Sequence, residues 1–92
     1  RRPVLVLSNS KYNNKTSDIV VAAITSNLES KEYTVLIKKN DLSEGELKVD
    51  SQIRADKIYT LSQDIVVKKF GRVKNHIIDE ERKEINRLFD RK

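Results

Sequence analysis

The chain has 92 residues, the size of one small domain spanning 1–92, and 19 Lys and Arg against 14 Asp and Glu give it a formal net charge of +5. It has no cysteine and a single histidine, His76, which excludes a disulfide framework, a thiolate metal site and a multi-histidine centre within one chain. The longest apolar run, Ile19–Ile24, is far short of the roughly 20 residues that cross a bilayer as a helix, and no signal-peptide pattern opens the chain.

Val4-Leu5-Val6-Leu7 follows Pro3 and reads as a short buried strand, because it is brief, apolar and rich in β-branching. Ser8 to Ser17, full of Asn, Ser and Lys, reads as a loop. Asp18 to Thr25 is the strongest strand signal; its consecutive apolar residues predict cover on both faces. Ser26 to Glu32 is a polar loop, and Tyr33 to Lys38 a third strand. Asn40 to Glu46, with Gly45, reads as a turn region. Val49, Ser51 and Ile53, then Ile58 and Leu61, mark a fourth strand and a following short segment. Ile65-Val66-Val67 is a further short strand or helical turn, closed by Phe70-Gly71-Arg72-Val73. A helix opens at Asp79 as N-cap, with Glu80 and Glu81 in its first turn and Arg87, Arg91 and Lys92 near its end. Its expected apolar stripe is Ile78, Ile85, Leu88 and Phe89, and Glu80–Lys83 and Glu84–Arg87 are opposite-charge pairs three residues apart. Close-spaced short strands followed by one helix predict a mainly β fold with a C-terminal helix, a small barrel or strongly bent sheet.

The charge is uneven. Between Arg54 and Lys74 six basic residues face two acidic ones, a net +4 that suits a phosphate backbone and equally a solvated face. Pro3 restricts Arg2 to extended conformations, and a positioned guanidinium can fork onto a phosphate; on spacing alone the reading as a simple terminal arginine prevails. Thr25 and Ser26 end the most apolar strand, as strand-end residues or as ligands, and Asn9 is a turn former or a ligand. Asp18 and Asp56 are isolated carboxylates, so a two-metal nuclease is not expected. A phosphodiesterase built from these residues works without metal or other cofactor. With RNA as substrate, the 2′-hydroxyl is the nucleophile, and the protein orients the phosphate and stabilises its charge.

Arg2-Pro3-Val4-Leu5-Val6-Leu7-Ser8-Asn9 followed by Ile19-Val20-Val21-Ala22-Ala23-Ile24-Thr25-Ser26 resembles the MazF/PemK family, the toxins of type II toxin–antitoxin modules. Ser51 to Leu61 and the Phe70-Gly71-Arg72-Val73 step resemble it too, in family order. The resemblance implies an SH3-like barrel of the MazF/PemK/CcdB type, commonly a homodimer. It implies a cytoplasmic, sequence-selective, metal-independent endoribonuclease on single-stranded RNA, leaving a 2′,3′-cyclic phosphate and a 5′-hydroxyl. It carries the catalytic roles to Arg2 and Thr25, and RNA contacts to Pro3, Ser8, Asn9, Ser26 and Asn27; Arg54 falls in a block that helps build the dimer face. The implied partners are RNA and a cognate antitoxin, with DNA binding arising through the antitoxin complex and no membrane involved. The family has one more strand and a mobile loop ahead of the Arg-Pro step, and residues preceding Arg1 are expected to supply them. A CcdB-like, non-cleaving binding module on a gyrase-type target, or an inactive homologue, is the alternative on the same fold.

Overall fold

The computed structural model describes residues 2–29 and 32–91 of the chain. Strand β1 (Val4–Val6) leads through Ser8 and Asn9 into a short helix, α1 (Ser10–Lys15), where the sequence pattern had indicated loop. The reason is local: Asn9 Oδ1 accepts from Tyr12 N–H at 2.9 Å and caps the turn. Strand β2 (Asp18–Thr25) matches its expected bounds, and β3 (Thr34–Ile37) follows. Residues 39–41 form a 3₁₀ turn and β4 (Leu42–Gly45) continues from it, so this stretch is not simply a turn. The fourth strand and its trailing segment are one element, β5 (Ser51–Ser62). Of the two readings of Ile65-Val66-Val67, the helical turn holds for Ile65, which ends a 3₁₀ turn over Gln63–Ile65; Val66 and Val67 follow it, exposed, on the way to β6 (Gly71–Val73). Of the loop expected over 26–32, residues 30 and 31 lie outside the described residues.

The final helix, α2 (Asn75–Leu88), starts four residues before Asp79. Lys74 stands at its N-cap without a side-chain cap bond, so no sequence signal marks the start; Lys74 N–H instead donates to Asp41 O at 2.8 Å. Its inner face is Ile77 and Glu81, both buried, with Ile78, Ile85 and Leu88 half-buried, while Phe89 is 71% exposed and outside the helix. Of the two expected pairs, Arg87 donates to Glu84 at 2.6 Å, and no Glu80–Lys83 bridge forms among the described residues.

The main sheet has the antiparallel order β1-β2-β5-β3, and β4 pairs with β6 in a separate two-stranded sheet. β5 is the hinge of the arrangement. Its second half, Ile58–Ser62, pairs with Asp18–Ala22; its first half pairs with both Ile24–Thr25 and β3. Between the two registers a single residue of β2, Ala23, spans residues 54–57 of β5. That mismatch bends the strand, as bulges do, and curls the sheet into a half-barrel. Arg54 and Asp56 bridge the bend, with Nε and one terminal nitrogen of the guanidinium both 2.8 Å from the carboxylate. The fork raises the Arg54 pKa and lowers that of Asp56, and it commits Arg54 within its own strand. On the concave side α2 closes over a core of Ala22, Val35, Ile37, Ile53 and Ile77. Each of the Val and Ile side chains is worth about 1.5–3 kcal/mol on burial, and the Ala22 methyl about 0.8.

Candidate functional site

A groove of about 1620 Å³ runs over the open end of the half-barrel. Its geometry follows from one backbone bond: Ile24 N–H donates to Pro3 O at 3.2 Å. The Arg2-Pro3 step, ahead of β1, is thereby fastened beside Ile24-Thr25 at the end of β2, and Arg2, Pro3, Thr25 and Ser26 all line the groove. Arg2 is exposed, and no ion pair among the described residues engages it. Thr25 is half-buried, and its Oγ1 accepts from Asn27 N–H at 3.1 Å, leaving the hydroxyl proton to donate elsewhere.

The remaining expected residues divide. Ser8 lines the groove, but its hydroxyl donates to Asn13 Oδ1 at 2.6 Å and accepts from Val20 N–H at 2.9 Å, so it fastens α1 to β2. Asn9 caps α1 and lines a smaller depression of about 350 Å³ with Tyr12 and Arg82. Asn27 supplies its backbone N–H to Thr25, while its side chain accepts from Glu29 N–H at 3.0 Å. It does not line the groove.

The groove is strongly basic: Arg2, Lys48, Lys68, Lys69 and Arg72 line it against one acid, Glu46. The basic stretch from Arg54 to Lys74 therefore contributes three of its six members here. Arg54 is taken by Asp56, and Lys57 and Lys74 are not groove residues. Apolar surface from Tyr59, Val67 and Phe70 lies between the cations. Arginine and lysine beside exposed aromatic and aliphatic faces suit a chain of phosphates bearing flat bases.

Gln52 was not expected at all. It lies directly across β5 from Thr25 and across from Leu36 on β3. Directly opposed residues project to the same face of a sheet, so the Gln52 amide is the next side chain to Thr25. It is 6% exposed, and its Oε1 has no hydrogen-bond partner. Only the pairing register could reveal this neighbour, since 27 residues separate the two positions.

A basic groove on a curled sheet, with an arginine held beside a strand-end hydroxyl, defines a small mainly β half-barrel suited to an extended polyanion. Residues 1–89 match the model of the PemK-like, MazF-like toxins of type II toxin–antitoxin systems, and the chain belongs to that family. Solved structures share the fold. The Mycobacterium tuberculosis toxin MazF-mt6 aligns with a TM-score of 0.82 at 21% identity, covering 99% of this chain and 88% of that one. An endoribonuclease in complex with its cognate antitoxin, from a mycobacterial species, gives 0.79 at 22% identity, over 94% of this chain and 78% of that one. MazF in the MazE–MazF structure from Deinococcus radiodurans gives 0.79 at 24% identity, over 96% and 84%. No curated protein matches the chain significantly.

Proposed function

We propose that this chain is the RNA-cleaving toxin of a toxin–antitoxin pair, a metal-independent endoribonuclease on single-stranded RNA. The observation that carries the reading is the Ile24–Pro3 backbone bond, which brings Arg2 and Thr25 together on the rim of a basic groove. The RNA 2′-oxygen attacks the adjacent phosphorus and gives its proton to a general base. The bond to the 5′-oxygen breaks, and that oxygen takes up a proton. A 2′,3′-cyclic phosphate and a 5′-hydroxyl result. Arg2 stabilises the charge that grows on the phosphoryl oxygens; a guanidinium is a permanent donor with no acceptor site, so it is unsuited to act as the base. Thr25 donates its hydroxyl proton to the phosphate, the lone pair being held by Asn27 N–H.

The basic groove also suits an acidic, partly disordered antitoxin segment, whose removal frees the site for RNA. In this reading the toxin acts in the cytoplasm as a homodimer and reaches DNA only through its antitoxin complex. No helix among the described residues is long and apolar enough to cross a membrane.

Mixed-sequence single-stranded RNA, incubated with the protein in EDTA and subjected to end-group analysis, tests the proposal. Cuts bearing cyclic phosphate are expected, with Arg2→Ala and Thr25→Ala each slowing cleavage by about 10²-fold or more, the scale of losing one preorganised donor. Intact RNA sinks the nuclease reading and favours the non-cleaving alternative.

A further inference from the structure

Glu81 sits midway along α2, one turn beyond Ile77, on the face that packs against β5 and β3. Its side chain is fully enclosed, and neither carboxyl oxygen has a hydrogen-bond partner. The groups around it give an anion no support. On its own helix the next inward acid is Glu84, already bonded to Arg87 at 2.6 Å. Arg87 in turn lies 5.0 Å from the ring centroid of Tyr33, the residue just before β3. From β5 the nearby charge is Asp56, whose counter-ion Arg54 is spent on it, and Lys57 is exposed. β3 itself carries no ionisable side chain. Glu80, Arg82 and Lys83 are exposed on the helix flanks, and His76 at the helix start stands 3.4 Å from Asp41.

An enclosed, unpaired carboxylate is expensive, and such a group takes up a proton instead. We propose that Glu81 is a proton-linked latch: its carboxyl is the neutral acid while α2 is docked on the sheet, and loss of that proton loosens the helix. Burial first, then the negative charges of Glu84 and Asp56, push this carboxyl up to about 7 from an ordinary value of 4.5. The folded state thus holds a proton that the unfolded chain releases near pH 4.5. The stabilisation is complete below that pH, declines through the interval up to about 7, and is gone above it. A displacement of about 2.5 pH units is a factor of about 300 in the folding equilibrium. Glu81 itself does not line the groove, and the proposal does not depend on RNA cleavage.

Equilibrium unfolding of the full chain and its Glu81→Gln variant at pH 5 and pH 8.5 is the test, with His76→Gln in both backgrounds to remove the His76–Asp41 contact at the start of α2. The folding constant of the parent should fall about 75-fold more than that of Glu81→Gln across this range, the part of the full factor that lies above pH 5, and the variant should be the more stable chain at pH 8.5. Equal pH dependence in the two overturns the latch. If Glu81→Gln does not fold, amide exchange in the parent decides. Corrected protection of residues 77–85 should drop as pH passes 7, and constant protection overturns it.

Discussion

Gly45 is the position where the smallest added group should do the most damage. It ends β4 with φ of +81°, a left-handed conformation that costs an L side chain about 1–2 kcal/mol. A Cβ there would also lie 2.1 Å from Phe70 O and 2.6 Å from Gly71 Cα, both backbone atoms of the opposing chain. Neither can swing aside as a side chain end would, so β4 and β6 must part; overpacking of this kind costs about 1–3 kcal/mol. Gly45→Ala should therefore lose about 3 kcal/mol, which in a domain of this size lowers Tm by roughly 10–25 °C. Circular dichroism melts give the total, and amide exchange at residues 42–45 and 71–73 locates the loss. Gly45→Asn separates the two causes, because Asn tolerates positive φ but carries the same Cβ. The close approach predicts that Asn recovers little. A Gly45→Ala melt within about 3 °C of the parent would refute the reasoning, and full recovery by Asn would reassign the cost to backbone strain alone.

Two further outcomes follow from the site. Gln52→Leu keeps the volume beside Thr25 while removing an acceptor that has no partner. Stability should change by less than about 1 kcal/mol, and because the amide oxygen bonds nothing and Gln52 does not line the groove, single-turnover RNA cleavage should stay within about twofold; a tenfold loss would show that the amide acts on its neighbour Thr25. Asn9→Ala removes the cap of α1 and should cost about 1 kcal/mol in chemical denaturation. If Asn9 serves α1 rather than RNA, affinity for short oligonucleotides should stay within about twofold; a tenfold loss would restore it as a direct RNA contact.

The strand β2 was legible to the residue because an apolar run bounded by Asp18 and Ser26 has few other solutions. The Arg2–Thr25 juxtaposition was legible only through family resemblance, since it is fixed by a backbone bond between Pro3 and Ile24 that composition cannot express. Asn9 and Ser8 show the opposite limit. Their polar side chains look free in sequence, yet the fold spends them on α1 and on Val20 N–H. The start of α2 was misplaced because Asp79 carries an ordinary N-cap signature while the true start at Asn75 has no capping side chain. Glu81 reads as a first-turn acid when the helix opens at Asp79; with the start at Asn75 it lies midway along α2, on the turn above Ile77, and is buried with it.

The bent strand β5 also dictates an order of events when the chain is made. β1 and β2 pair locally, but Asp18 must find Ser62 and Thr25 must find Gln52, so the sheet closes only through contacts distant in sequence. Such topologies fold slowly, because loop-closure entropy is lost before the contacts compensate for it. A chain leaving the ribosome N-terminus first exposes Arg2 and Thr25 early, on two strands with no sheet to hold them. The groove cannot assemble until residues 51–62 have emerged and paired with β2, so its two sides come together only after the whole stretch between them has been made.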